Sequence, residues 1–185
     1  MPLLESRFRP PLFLRNGHLQ TILGALLPRR FRNNVLAERL ELPDGDFLDL
    51  DWVKAGHRRL AVISHGLEGS SKNRDIRGLS AALNKAGWDT LAWNFRGCSG
   101  ELNRCLRFYH SGETGDLSAV LSHAAGSYSR LALVGFSLGG NMILKYLGEG
   151  NVHPFLQAAV AVSVPVDLAS SARALDRRLG NQIYL

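Results

Sequence analysis

Hydrophobic residues along this chain follow two different periods. Short runs of aliphatic and aromatic residues predict strands at 60–64, 88–95, 131–136 and 158–164. In the segments between them, apolar residues recur at the spacing of one helix face, which predicts helices at 73–86, 114–125 and 138–148. Because strands that alternate with helices assemble into a parallel sheet covered by helices, the pattern predicts an α/β fold.

An antiparallel hairpin is predicted where the sheet begins. Two strand-like runs, 35–42 and 47–53, flank the sequence PDGD, whose proline, aspartates and glycine suit a tight turn. Prolines break the preceding residues into short pieces, so we expect an irregular basic arm at 1–34 with one helical turn near 19–26. The core of the fold is then expected at 35–167.

The sequence LALVGFSLGGNM, at 131–142, carries the clearest chemical signal. It places Ser137 in a turn between strand and helix, with Gly135 and Gly139 two residues to either side. A serine in such a turn sits on strained backbone with its hydroxyl exposed, and larger side chains at the glycine positions would collide. This spacing arises by chance only about 0.06 times in a chain of this length. Ser137 is therefore the predicted nucleophile of a serine hydrolase.

A serine that attacks an acyl group needs hydrogen-bond donors for the negative oxygen that develops on the substrate. One donor is expected from the residue after the nucleophile, which is the N–H of Leu138. The second is expected from the loop after the third strand, which reads HGLEG at 65–69. Its topology makes the N–H of Leu67 the candidate, so Leu138 and Leu67 form the predicted oxyanion hole.

Other reactive side chains receive structural interpretations. Hydrolases with this turn follow the chain order nucleophile, acid, histidine, so four histidines that precede the serine are expected to be structural: His18, His65, His110 and His123. His153 is expected in a loop. Asp167 is either a catalytic acid or, as we favour, the N-cap of a following helix. Cys98 is expected to be a packed thiol rather than a second nucleophile, since no basic partner is specified.

The charge distribution is uneven. The net charge is +6, and residues 1–40 carry seven arginines against Glu5 and Glu38. Contact between this basic arm and an anionic membrane surface is one interpretation, and a solvated or internally paired arm is the favoured alternative. The arginines lie in no recognisable nucleic-acid-binding motif, so no nucleic-acid partner is expected.

Composition limits which other classes of protein are expected. The only cysteines, Cys98 and Cys105, indicate neither a disulfide framework nor a zinc site, and no metal or organic cofactor is expected. The longest apolar runs fall far short of a membrane span, and the N-terminus lacks the apolar region of a secretory signal. A cytoplasmic protein is the expectation.

Six segments together give the chain a family resemblance: GHLQTIL, LELPDGDFLDLDW, SHGLEGS, NFRGCSGE, YHSGET and GFSLGGNM. On these motifs it resembles the YheT-type hydrolases of bacteria, which are α/β-hydrolases related to eukaryotic α/β-hydrolase-domain lipases and yeast medium-chain ethyl-ester synthases. The resemblance implies an α/β-hydrolase fold truncated after about the sixth strand. It also implies that 168–185 begin a lid region, and that the triad aspartate and histidine lie beyond Leu185.

Two hypotheses follow. The first is a serine hydrolase that acts on small-molecule acyl esters through Ser137, with the general base and acid missing from this chain. The second is a catalytically inactive fragment, or a half that binds a partner. Acyl chain length, the alcohol, hydrolysis or acyl transfer, and oligomeric state stay open.

Overall fold

The computed structural model describes residues 4–26, 31 and 34–177, and the chain forms two compact units, Met1–Arg30 and Phe31–Leu185. The predicted arm at 1–34 and the predicted lid start at 168–185 therefore lie partly outside the described residues.

The first unit contains a short 3₁₀ turn, Leu12–Leu14, and one helix, α1, Gly17–Leu26. Asn16 precedes this helix, and its Oδ1 accepts the backbone N–H groups of His18 at 2.9 Å and Leu19 at 3.4 Å. An asparagine in this position satisfies N–H groups that a helix start leaves without partners. The helix is longer than the single predicted turn because this cap extends it toward the N-terminus.

The second unit is built on a six-stranded sheet in the order β1-β2-β4-β3-β5-β6. The strands are β1 Leu36–Glu41, β2 Phe47–Val53, β3 Arg59–Ser64, β4 Asp89–Trp93, β5 Arg130–Phe136 and β6 Leu156–Val162. β2 is antiparallel to both of its neighbours, β1 and β4. The remaining neighbours in the sheet, β4 with β3, β3 with β5 and β5 with β6, are parallel. The predicted mostly parallel sheet with an antiparallel start is confirmed.

Helices cover both faces of the sheet. The described helices of this unit are α2 Arg74–Lys85, α3 Thr114–Ala124, α4 Leu138–Gly148 and α5 Leu168–Arg177. Leu60 and Val62 of β3 pack in the large core that includes apolar residues of α3 and α4, while Ile63 points to the other face and packs with Ile76 of α2. The alternation along β3 thus buries both of its faces, as a central parallel strand requires. No helix in the described segments is long and apolar enough to cross a membrane.

β6 differs from the other parallel strands because it is exposed. Its sequence, LQAAVAV, carries no charge and would suit a strand buried on both faces, yet Val160 is 53% exposed. β5 lies along one edge of β6, and no strand in the described part of the chain pairs with the other edge. The strand lies two residues earlier than predicted and ends before Ser163, whose φ is +52°. An uncharged free edge of this kind is a pairing surface.

Candidate functional site

Ser137 lies alone between the end of β5 and the start of α4. Its backbone has φ +50° and ψ −115°, a conformation that costs a non-glycine residue free energy and therefore needs support from its surroundings. Two backbone hydrogen bonds supply it, because the Ser137 N–H donates to the Val162 carbonyl at 2.8 Å and the Ser137 carbonyl accepts the Asn141 N–H at 3.0 Å. The predicted strand, turn and helix around this serine are confirmed.

The glycines beside Ser137 allow α4 to begin in contact with the backbone of β3. A Cβ on Gly139 would overlap the His65 carbonyl oxygen and lie 2.7 Å from the Ser64 carbonyl oxygen. A Cβ on Gly135 would lie 2.6 Å from the Gly139 carbonyl carbon. The collision predicted from the sequence is therefore real, and the obstacle at Gly139 is the end of a neighbouring strand.

The loop at 65–69 follows β3 and lies beside Ser137. A Cβ built on Gly66 would lie 3.5 Å from the Ser137 Cβ, so these two backbones are in close contact. Leu67 comes next in the loop and is 67% exposed. In the part of the chain that the structure describes, the N–H groups of Leu67 and Leu138 donate no hydrogen bond to the protein. These two N–H groups therefore stay candidates for the oxyanion hole predicted from the sequence.

His65 is fully engaged in the structure of this loop. Its Nδ1 lies 2.7 Å from the Gly66 carbonyl oxygen, and its Nε2 accepts the Phe95 N–H at 3.2 Å. These partners fix the tautomer with the proton on Nδ1. The ring packs against Phe95 with 3.9 Å between centroids and is 1% exposed, and this burial lowers the pKa of His65 to about 4. His65 therefore has the structural role expected from the chain order.

No histidine described in the second unit forms a hydrogen bond with the Ser137 hydroxyl. The histidines of the second unit have other partners: Asn84 for His57, Gly66 and Phe95 for His65, Gly112 for His110, Glu38 for His123 and Phe155 for His153. The Ser137 Oγ itself has no hydrogen-bond partner among the residues that the structure describes. A serine without a neighbouring base is a weak nucleophile at neutral pH.

The contacts of Asp167 and the burial of Cys98 indicate structural roles for both residues. Asp167 Oδ1 accepts the Ser170 N–H at 2.9 Å and Oδ2 accepts the Ser170 hydroxyl at 2.5 Å, and these bonds lower the pKa of the carboxyl. This is the N-cap of α5 that we favoured over a catalytic acid.

Cys98 is half-buried, and burial raises the pKa of its thiol, so it is not a thiolate at neutral pH.

A buried arginine that the sequence analysis did not identify fixes the loop after β4. Arg96 is 2% exposed, and its Nε and Nη2 donate to the two Asp116 carboxylate oxygens, each at 2.8 Å. Its Nη1 lies 2.8 Å from Asp44 Oδ2 and 2.9 Å from Asp46 Oδ2, both in the β1–β2 turn. One guanidinium therefore joins α3, the loop after β4 and the hairpin.

Asp46, one of the carboxylates that contact Arg96, is held in its charged form. Burial alone would raise the pKa of Asp46, but hydrogen bonds from Asn103, from the N–H groups of Arg104 and Phe47, and from Arg96 outweigh it. They lower the pKa of Asp46 to about 2. The sequence signal was the pair of aspartates in the turn at 43–46, although their common partner is 50 residues away from Asp46.

Two cavities lie away from the serine, against the hairpin strands. Their volumes are about 310 and 350 Å³, and both are lined by Ala37, Asp51 and Lys72. Neither is lined by Ser137, so the chemistry suggested by the turn does not belong to them. Within the described ranges, no group of three or more histidine, cysteine or acidic side chains is arranged to hold a metal ion.

Comparisons with known proteins agree with this geometry. A family model described as alpha/beta hydrolase fold matches residues 62–183. The Escherichia coli (strain K12) protein named "Putative esterase YheT" is 43% identical over 180 residues, which cover 94% of this chain and 53% of that protein. Phospholipase ABHD3 of Mus musculus is 28% identical, covering 96% of this chain and 46% of that protein. The chain spans about half the length of the curated relatives it matches.

Solved structures show the same fold. The Pyrococcus furiosus esterase Pf2001 matches with a TM-score of 0.64 at 22% identity, covering 80% of this chain and 62% of that one. A Xanthomonas campestris serine hydrolase without a lid matches with a TM-score of 0.55 at 22% identity, covering 82% and 83% of the two chains. At this identity the likeness concerns the fold alone.

Replacing Gly139 by alanine tests the packing of α4 on β3. We expect Gly139→Ala to lower the free energy of unfolding by on the order of 3 kcal/mol, because the new methyl group meets backbone oxygens that cannot rotate away. Urea denaturation measures the change. Gly126→Ala is the matched control, since a Cβ there meets nothing within 4 Å. Equal stability of the two variants would contradict the contact.

The buried His65 makes stability depend on pH. Its pKa is about 4 in the folded chain against 6.5 for the free side chain, so between these values the unfolded state binds more protons. The free energy of unfolding is therefore expected to fall as the pH falls through 6.5. The contribution of His65 to this fall should end near pH 4. From the two pKa values, the loss between pH 7 and pH 4.5 is about 2 kcal/mol.

Denaturation of the wild type and His65→Gln at both pH values measures this loss. Glutamine offers one donor and one acceptor but does not titrate in this range, so the variant should lose clearly less stability than the wild type over the same interval. An identical pH dependence in the wild type and His65→Gln would show that His65 is not held neutral by burial.

Proposed function

Because this chain belongs to the α/β-hydrolase family, we propose that it carries the nucleophile and the oxyanion hole of a serine hydrolase acting on acyl esters. The observation that carries the proposal is the backbone of Ser137, strained at φ +50° between β5 and α4 and placed against the loop after β3. Strain of this kind persists where the surrounding structure enforces it, often at a reacting group.

The proposed reaction is acyl transfer through the serine. A base removes the Ser137 hydroxyl proton as Oγ bonds to the acyl carbon, and the carbonyl electron pair moves to the substrate oxygen. The N–H groups of Leu138 and Leu67 stabilise this oxyanion, aided by the positive end of α4. The alkoxide leaves with the proton from the base, and a water molecule then cleaves the acyl-enzyme. Attack by an alcohol in place of water would give acyl transfer.

The base and its acid are proposed to lie on polypeptide outside residues 1–185. Three observations support this. The described histidines of the second unit have partners other than Ser137, and the chain spans about half the length of its curated relatives. The apolar strand β6 is exposed, and within the described residues one of its edges has no strand beside it. A further part of the fold that supplied both a base and a strand against β6 would account for all three.

The substrate is proposed to be a small-molecule ester with an apolar acyl group. Leu67, in the loop beside the serine, is 67% exposed, and an exposed apolar side chain at an active site suits an acyl chain. The names of the relatives, esterase and phospholipase, also refer to ester hydrolysis. The serine mechanism needs no metal or organic cofactor.

The second candidate is a non-catalytic half that binds a partner, and the uncharged edge of β6 is the observation that favours it. The two candidate functions predict different properties once the rest of the fold is supplied. A catalytic half gains esterase activity that depends on Ser137, whereas a binding half gains a partner and no such activity.

A hybrid with the Escherichia coli relative tests the proposal. In it, this chain replaces the part of that protein that it matches at 43% identity, and the relative supplies the remainder. We expect hydrolysis of a p-nitrophenyl acyl ester, and a fall in kcat of on the order of 10⁴-fold or more in Ser137→Ala, as removal of a catalytic serine causes. Ester hydrolysis is followed by absorbance.

The control for this experiment is Ser129→Ala, which removes a serine hydroxyl that donates to the Arg58 carbonyl away from the turn. It should retain the activity of the parent hybrid. A folded hybrid that hydrolyses the ester equally well with and without the Ser137 hydroxyl would refute the assignment of the nucleophile.

A further inference from the structure

Tyr109 connects the loop after β4 to the loop beside the serine. Its hydroxyl accepts the backbone N–H of Glu68 at 3.0 Å, although the two residues are 41 positions apart. The tyrosine is 7% exposed, and burial raises the pKa of its phenol, so it remains a neutral hydroxyl. Glu68 directly follows Leu67, the residue whose N–H is the proposed second oxyanion donor.

The backbone conformation of Glu68 needs a stabilising contact from outside its own loop. Its φ is +53°, in the left-handed region that non-glycine residues rarely adopt. Inside the loop, the Gly69 N–H donates to the Gly66 carbonyl at 3.1 Å, which closes a turn around Leu67 and Glu68. The Tyr109 hydroxyl is the partner outside the loop that holds the peptide between Leu67 and Glu68.

The position of Tyr109 is itself fixed by aromatic packing. Its ring lies against Phe95, with 5.3 Å between centroids, and Phe95 lies against His65 at 3.9 Å. Phe95 also donates its N–H to His65 Nε2. The three rings therefore support the loop at both ends, through His65 before Gly66 and through Tyr109 at Glu68.

We propose that Tyr109 is a positioning residue for the oxyanion hole: its hydroxyl holds Glu68 N–H and so keeps Leu67 N–H beside Ser137. This inference rests on the proposed function, because it assigns a role to Leu67 in that reaction. An oxyanion donor is effective only when it is held in place before the charge develops. Tyr109 supplies that restraint without touching the substrate.

Hydrogen exchange on the 185-residue chain tests the contact directly. Tyr109→Phe keeps the ring and removes only the hydroxyl, so we expect the Glu68 amide to exchange at least about tenfold faster than in the wild type. Tyr128→Phe is the matched control, since it removes another buried tyrosine hydroxyl, one that donates to Asp89 at 3.0 Å. Unchanged exchange at Glu68 in Tyr109→Phe would overturn the proposal.

Kinetics of the hybrid enzyme test the consequence. Tyr109→Phe should lower kcat by about ten- to a hundredfold with KM unchanged, and should weaken binding of an alkyl boronic acid, a mimic of the tetrahedral intermediate, by a similar factor. Tyr128→Phe should change neither quantity. A purely structural Tyr109 would lower the thermal midpoint while leaving kcat and boronic acid affinity at the wild-type values, and that result would overturn the proposal.

The two failures are distinguishable. If Ser137→Ala remains active, the proposed function fails and the role of Tyr109 fails with it. If Ser137→Ala is inactive while Tyr109→Phe keeps full kcat and boronic acid affinity, only the role of Tyr109 fails.

Discussion

The close contact between the start of α4 and the end of β3 is the constraint on which the site depends. It exists because Gly139 has no side chain, which lets the helix begin against the carbonyl oxygens of Ser64 and His65. With the helix in that position, the chain leaving β5 must turn sharply, and Ser137 occupies the turn at φ +50°. The same contact brings the loop after β3 to the serine, so one packing requirement places the hydroxyl and the candidate oxyanion donors together.

Buried polar groups hold the surrounding loops in place. Arg96 joins the hairpin turn, the loop after β4 and α3 through three carboxylates. Removing one partner of such a buried ion pair leaves an uncompensated charge, which makes these loops interdependent. His65, Phe95 and Tyr109 then connect the loop after β4 to the loop beside the serine. The segments that flank Ser137 are thereby fixed by groups far from it in sequence.

Sequence patterns predicted what local and periodic interactions determine. The strands, the helices and the glycine requirement beside Ser137 follow from hydrophobic periodicity and steric exclusion, and the structure confirms them. The extent of α1 depended on an unrecognised cap by Asn16, and the end of β6 on the backbone of Ser163. The partners of Arg96 and Tyr109 could not be predicted, because contacts between residues 20 to 50 positions apart exist only after the sheet has assembled.

The central proposal is that these 185 residues hold a formed but unactivated serine site. Its most direct measurement is the mass of the folded chain during incubation with a fluorophosphonate, a reagent that labels activated serines, beside the Ser137→Ala variant. The account predicts that neither protein gains an adduct, because no histidine described in the second unit forms a hydrogen bond with the Ser137 hydroxyl. An adduct on the wild type at Ser137, absent from Ser137→Ala, would contradict it and show that a base lies within residues 1–185.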